Sequence, residues 1–260
     1  MNSLIDTHSH LFVEEFDKDR ALCVARAKAA GVSHLYLPNI DLSSIHALLD
    51  MVDEYPDYCT PMVGLHPTSV DEGYLEQLIQ LKAILDATPN RFAAIGEIGI
   101  DLYWNQTYRN TQMKVFDTQI SWAEQYNLPI VIHQRNAFKE TIEIVKQHSS
   151  RGIFHSFSGS AEEARELIAL SDYLLGINGV VTFKKSTLPE VLQTEVPLNR
   201  IVLETDCPYL TPAPHRGKRN ESSYLPFILN KLSEIYGVAQ EVVAQVTTEN
   251  ACLLFETKSY

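Results

Sequence analysis

Cysteine is scarce in this sequence: the four present, Cys23, Cys59, Cys207 and Cys252, lie far apart and form no C-x-x-C pair. That spacing signals neither a zinc ribbon nor a disulfide framework, and a reduced, cytoplasmic interior is the simpler expectation. No apolar run approaches the ~20 residues needed to span a bilayer, and no basic start with an apolar h-region precedes the first strand. A soluble protein without membrane association is expected. Positive charge is also in deficit, with 21 Lys and Arg against 33 Asp and Glu and a formal charge of -12. Such a balance argues against a broad electrostatic grip on nucleic acid, which shows as a basic face or a high pI. It leaves a polyanionic substrate open, because bound divalent cations and a few local basic residues reverse the potential inside a cleft. Nucleotide and acyl-transfer signatures are missing too. There is no G-x-x-x-x-G-K-[ST] loop, and Ser156-Phe157-Ser158-Gly159 lacks the first glycine of a nucleophile elbow. No repeat, low-complexity tract or linker divides the chain, and Pro208 to Pro214 reads as a rigid loop.

What the sequence does have is alternation. Eight short apolar runs are separated by longer helical stretches: Leu4 to Thr7, Leu35 to Asn39, Pro61 to His66, Phe92 to Glu97, Ile130 to His133, Ile153 to His155, Tyr173 to Ile177 and Ile201 to Asp206. This is the pattern of a parallel sheet covered by helices. At 260 residues it predicts an α/β fold, a single (β/α)8 TIM-type barrel spanning residues 1–260 as one domain. Ser160 and Glu163 form a capping box ahead of an apolar face of Ala164, Leu167 and Ile168, and Leu75, Leu78, Leu81 and Leu85 make a similar stripe. Additional C-terminal helices are expected around Tyr224 to Tyr236 and Gln240 to Phe255.

In such barrels the C-terminal strand ends form one mouth, where residues remote in sequence converge. His8 and His10 close the first run, His66 the third, Glu97 the fourth, His133 the fifth, His155 the sixth, and Glu204 with Asp206 the eighth. His8 and His10, two apart in extended chain, point to one face and suit one metal ion. A single strand-end histidine is ordinarily structural, but His8, His10, His133 and His155 gathered with Glu97 and Asp206 predict a metal site. Glu97 can face one ion with each oxygen, an ion pair with a nearby arginine being the alternative. His34 at the start of a strand, and His46 and His148 on helical stretches, are expected to be structural or solvated. Cys207 reads as a small buried residue rather than a nucleophile.

Several segments together resemble the TatD family of metal-dependent deoxyribonucleases among the amidohydrolase-like barrels, over nearly the whole chain. They are Asp6-Thr7-His8-Ser9-His10, Gly64-Leu65-His66-Pro67, Gly96-Glu97-Ile98-Gly99-Ile100-Asp101, Ile132-His133, His155-Ser156-Phe157-Ser158-Gly159 and Glu204-Thr205-Asp206-Cys207-Pro208-Tyr209-Leu210. Pro214-His215-Arg216-Gly217-Lys218-Arg219-Asn220-Glu221 and Asn250-Ala251 extend the match. Asn136, where the family commonly has an acidic residue, and Ser222, where proline often follows Asn-Glu, depart from it. The resemblance implies two divalent metal ions per subunit, Mg, Mn or Zn. One is held by His8, His10, Glu97 and Asp206, and the other by Glu97, His133 and His155. It also implies a deoxyribonuclease, a 3'-5' exonuclease on single-stranded DNA. No obligate protein partner is expected, and the protein is expected to be a monomer or weak oligomer.

The mechanism expected on that basis is attack by a water activated between two cations ~3.5–4 Å apart. Asp206 is expected both to ligate and to orient or deprotonate that water. Glu204 supports it or serves a cap or salt bridge. His66 contacts the scissile phosphate or tethers the third loop. Arg135 and Arg216, with Lys218 and Arg219, are candidates for backbone phosphates or for plain solvation. Tyr103, Trp104 and Tyr209 are candidates for base stacking or lid packing. Two other readings stay open: a hydrolase of a non-nucleic-acid ester, lactone or amide, and an inactive metal- or nucleic-acid-binding scaffold.

Overall fold

The computed structural model describes residues 3–255. Eight parallel strands alternate with helices. They are β1 (Leu4–Asp6), β2 (Val32–Leu37), β3 (Cys59–Pro61), β4 (Ile95–Asp101), β5 (Ile130–Arg135), β6 (Gly152–Phe154), β7 (Tyr173–Ile177) and β8 (Ile201–Leu203). The helices between them are α1 (Arg20–Ala29), α2 (Ile45–Glu54), α3 (Tyr74–Ala87), α4 (Arg109–Tyr126), α5 (Phe138–Val145), α6 (Ala161–Ala169) and α7 (Leu188–Glu195). α8 (Leu225–Tyr236) and α9 (Gln240–Phe255) follow the last strand. The ladders run β1-β2-β3 and β4-β5-β6-β7-β8. Single bridges close the two seams into a barrel, Val63 to Ile95 on one side and Ser9 to Cys207 on the other.

Side-chain alternation sorts the core into two parts. One face of each strand packs outward on the helices. The other contributes an inner layer that includes Ile5, Tyr36, Met62, Ala94, Val131, Ile153, Leu174 and Val202. Ala251, Leu254 and Phe255 of α9 pack on this layer, with Phe255 stacked on Tyr36 at 4.0 Å between ring centroids, so the final helix plugs the end away from the mouth. Because strand side chains repeat every two residues, the next inward positions above Val131, Ile153 and Val202 are His133, His155 and Glu204. An apolar floor thus carries a polar layer directly above it.

Local signals held in most places. Ser160 and Glu163 form the reciprocal capping box at the start of α6, and α9 spans the expected residues. The ends of β1, β5 and β6 differ by one or two residues from the expected runs, and four strands differ by more. β2 starts three residues early and stops at Leu37, β3 ends at Pro61, and β8 ends at Leu203, the chain beyond each running on without a ladder. β4 starts at Ile95 rather than Phe92 and continues to Asp101, so Glu97 lies within it. The register slips between Ile95 and Ile98, where Gly96 and Glu97 leave the β5 ladder and exchange backbone hydrogen bonds with Asn39 instead. Such a bulge re-aims a side chain, here the carboxylate of Glu97. Leu75 does not join the buried stripe of α3; it is exposed, and only Leu78, Leu81 and Leu85 face the core. His148 lies just past the end of α5 rather than on a helix, paired with Asp117 and Glu124 of α4. His34 bonds Thr60, and His46 is exposed on α2. Among the described residues no helix is long and apolar enough to cross a membrane.

Candidate metal centre

Glu97 is the hub of the mouth, buried to 3 % exposure. Its two oxygens divide the histidines. Oε2 lies 3.1 Å from His8 Nε2 and 3.7 Å from His10 Nε2. Oε1 lies 2.9 Å from His133 Nδ1, 3.4 Å from His66 Nε2 and 3.8 Å from His155 Nε2. These ion-pair contacts are all to imidazoles, so the arginine alternative is not what the structure shows. Asp206 spans the same division, with Oδ1 3.6 Å from His10 Nε2 and Oδ2 3.8 Å from His155 Nε2. Its backbone is left-handed (φ 58), a conformation costly for a residue other than glycine and held here by Asp206 N–H donating to the carbonyl of His8.

All six sequence-predicted ligands therefore converge, and His66 joins them more closely than expected. Three groups have donor atoms within 4.8 Å of one another and can hold a cation: His8, His10 and Glu97; His66, Glu97 and His133; His8, His155 and Glu204. The donor set passes a further test of fit. Nε2 of His8 and Nε2 of His10 face each other at 3.1 Å, a repulsive arrangement for two lone pairs or two N–H groups unless a proton or cation is shared. Buried His8 Nδ1, His10 Nδ1 and Glu204 Oε2 have no hydrogen-bond partner. Mixed imidazole and carboxylate donors suit Zn, Mn and similar borderline cations.

Electrostatics point the same way. Burial opposes ionisation of Glu97, but the imidazoles of His66, His8 and His155 override it and hold the carboxyl well below its usual range. Burial likewise opposes charge on His155, yet the carboxylates of Glu204, Glu97 and Asp206 raise it to about 10. His133 is raised to about 9 against burial by Asp101 and Glu97. His8, buried and beside His155, is lowered. The cluster is a negatively charged cage that attracts positive charge, which protons or metal ions can supply.

Outer partners orient the imidazoles. His133 Nε2 lies 3.0 Å from Asp101 Oδ2 while its Nδ1 meets Glu97. His155 Nδ1 lies 3.0 Å from Glu204 Oε1, off the hydrogen-bond line, while its Nε2 faces Glu97 and Asp206. Glu204 Oε1 also accepts from Ser156 N–H at 2.7 Å, so it ties two strand ends together. Asp6, completely buried, accepts from Thr205 Oγ1 at 2.6 Å and from Thr205 N–H at 2.9 Å, joining the end of β1 to the end of β8. Burial pushes its carboxyl up to about 7 against those bonds. Sequence reasoning gave no role to Asp6 or Asp101. The signal present was a carboxylate inside each motif, two residues before His8 and four after Glu97.

Gly176 on β7 leaves the room that Glu204 occupies, since a Cβ there would come within 2.1 Å of Glu204 Oε2. Gly176→Ala should displace that carboxylate, release His155 and destabilise the protein by ~1–3 kcal/mol. Urea denaturation checks the stability, and an unchanged midpoint would show that the carboxylate has somewhere else to go.

The basic residues fare unevenly. Arg135 is exposed at the end of β5 with its guanidinium 3.7 Å from the centroid of the Tyr103 ring. Arg216 lies 3.5 Å over Phe183. Arg219 is committed elsewhere: both terminal nitrogens lie 2.8 Å from Asp19 and the group covers Phe16, so it is not free for phosphate. Tyr209 is half exposed, and Cys207 is fully buried with its thiol pushed up to about 12 by desolvation. Asn136 adopts a left-handed backbone (φ 54), which asparagine tolerates better than most residues, and this gives its departure from the family pattern a local reason.

Comparison with known proteins agrees with this geometry. The chain is 38% identical over 255 residues to a Bacillus subtilis protein named "Uncharacterized metal-dependent hydrolase YabD", covering 97% of this chain and 98% of that one. It is 31% identical over 263 residues to the "3'-5' ssDNA/RNA exonuclease TatD" of Pectobacterium atrosepticum, covering 97% and 99%. The crystal structure of YjjV, a TatD homologue from Escherichia coli, superposes with a TM-score of 0.91 at 28% identity over 98% of both chains. The sequence model of the family described as "TatD related DNase" matches residues 5–256, and the chain belongs to that family.

Proposed function

We propose that this protein is a metal-dependent hydrolase whose substrate is the phosphodiester bond of single-stranded DNA, released as mononucleotides from the 3' end. The observation that carries the reading is the division of Glu97, whose two oxygens face separate sets of imidazoles. His8, His10, Glu97 and Asp206 would hold one cation and Glu97, His133 and His155 a second. When bound, such ions make water more acidic and neutralise charge developing on phosphoryl and leaving oxygens.

The chain's own residues do the rest. Asp206 is the base that holds the proton of the attacking water, and its Oδ1 and Oδ2 keep it between His10 and His155. His66, with Nδ1 engaged by Thr68 Oγ1 at 2.6 Å, keeps Nε2 turned toward Glu97 and is suited to contact the scissile phosphate. Glu204 acts through His155 as a positioning residue. Arg135 and Arg216 supply fixed positive charge at the rim. No disulfide joins any of the four cysteines, which suits a reducing, cytoplasmic compartment.

Asp101 is read as the group that fixes His133. Asp101→Asn should lower metal affinity and turnover by ~10–100-fold, the usual effect of losing a partner behind a ligating histidine. Metal titration by calorimetry is the check. Affinity equal to that of the unchanged protein would remove Asp101 from the assembly.

The substrate reading is tested by offering 3'- or 5'-end-labelled single-stranded DNA beside a panel of lactones, amides and phosphotriesters. Mononucleotides lost progressively from the 3' end are expected. Turnover confined to the small-molecule panel would reassign the site to another ester or amide bond.

A further inference from the structure

We propose that Tyr103, Trp104 and Arg135 form a stacking platform for one nucleobase at the β4–β5 edge of the mouth, beside the bond to be cut. The inference rests on the nucleic-acid reading above and specifies what that site recognises besides phosphate.

Trp104 is 71 % and Tyr103 51 % exposed, and no aromatic among the described residues is more exposed than Trp104. Large aromatic surface left in water at two consecutive positions is uncommon unless something covers it. A role in lid packing would have buried these rings.

Asp101 Oδ2 engages His133, and its Oδ1 accepts from Tyr103 N–H at 2.9 Å and Trp104 N–H at 3.4 Å. One carboxylate therefore fixes both an imidazole of the metal centre and the backbone of the aromatic pair. Leu102 N–H donates to the carbonyl of Arg135 at 2.9 Å, which pins the same turn to the end of β5. Arg135 itself is two residues beyond His133, on the same face of the strand, ~7 Å further along.

The Arg135 guanidinium lies 3.7 Å from the Tyr103 centroid and 5.4 Å from that of Trp104, and the two rings meet edge to face at 4.9 Å. Stacked cation and rings hold each other's orientation without a buried core. The result is a rigid aromatic surface carrying positive charge, which suits an unpaired base attached to a phosphate. Since every base has a π-face, such a platform tolerates sequence but requires the base to be unstacked from a duplex. It therefore selects single strands and discriminates weakly among the four bases.

The chain offers a direct probe, because its only other tryptophan, Trp122, is buried in α4. Intrinsic fluorescence of the metal-loaded protein would be titrated with a short phosphorothioate oligothymidylate and with the same backbone carrying abasic residues. Quenching by the first and none by the second is expected, and Trp104→Leu should abolish it. In hydrolysis, kcat/KM for oligothymidylate over the abasic strand should favour the base by about 5- to 150-fold, the equivalent of ~1–3 kcal/mol per stacked base. Trp104→Leu should bring that ratio near one, and Trp104→Phe should retain most of it. Equal quenching by both strands, or a base preference that survives Trp104→Leu, overturns the platform. Failure of the nuclease reading looks different: neither strand is cut, and the fluorescence titration still decides whether a base stacks.

Discussion

Glu97→Gln should lower hydrolysis by about 10³-fold or more while leaving the barrel folded. The carboxylate approaches both sets of imidazoles more closely than Asp206 does, and glutamine keeps its shape while replacing one oxygen with an NH2 group that cannot ligate a cation. Charge stabilisation by metal ions is worth several kcal/mol in the transition state, and each ~1.36 kcal/mol is tenfold in rate. Loss of either ion of a pair removes the concerted action, so the effect should fall on kcat rather than on KM alone. His46→Ala, on the exposed face of α2, serves as the control and should leave turnover unchanged. Steady-state kinetics at saturating cation, with circular dichroism to verify folding, makes the comparison. Equal rates in the two variants would show that Glu97 is not the hub of the chemistry.

The second large effect is on stability. Three carboxylates and the imidazoles of His8, His10, His133 and His155 crowd one buried volume, so only the folded chain offers cations this set of donors. A ligand that binds only the folded state stabilises it by ~2.7 kcal/mol at 100 times its dissociation constant. For a domain of this size ~1 kcal/mol moves the midpoint by ~2–4 °C. Chelator-stripped protein should therefore melt roughly 5–10 °C below protein with excess Mn or Zn restored, and the gap should shrink in Glu97→Gln. Differential scanning calorimetry at matched ionic strength reads this directly. A melting temperature indifferent to divalent cations in the unaltered protein would mean that the cage does not bind them in the folded state.

How much of this was legible in the sequence depends on the range over which each feature is specified. The convergence of the candidate ligands was visible because most of them stand at the end of an apolar run, and the two-residue alternation fixes which face each joins: Val131 then His133, Ile153 then His155. α9 and the capping box at Ser160 were visible for the same local reason. Strand four was misplaced because Phe92-Ala93-Ala94 is as apolar as a strand, whereas the ladder with β5 continues past the bulge at Glu97 to Asp101. Leu75 satisfies the helical period but sits in the first turn of α3, where it is exposed. The roles of Asp6 and Asp101 were hidden, since each exists only through tertiary contact: Asp6 meets Thr205 across 199 residues of chain. The stacking of Arg135 on Tyr103 was hidden likewise, because a side-chain rotamer decides whether an exposed arginine reaches out or lies on its neighbour. The commitment of Arg219 to Asp19 is of the same kind.

The most direct test of the central claim is mononucleotide release from labelled single-stranded DNA by chelator-stripped protein, with Mg, Mn or Zn restored in turn and Glu97→Gln alongside. The account predicts no release without cation, recovery on titration, and none from the variant at any concentration. Contradiction would be a stripped protein that binds cations with the expected gain in melting temperature, yet releases no nucleotide with any of them.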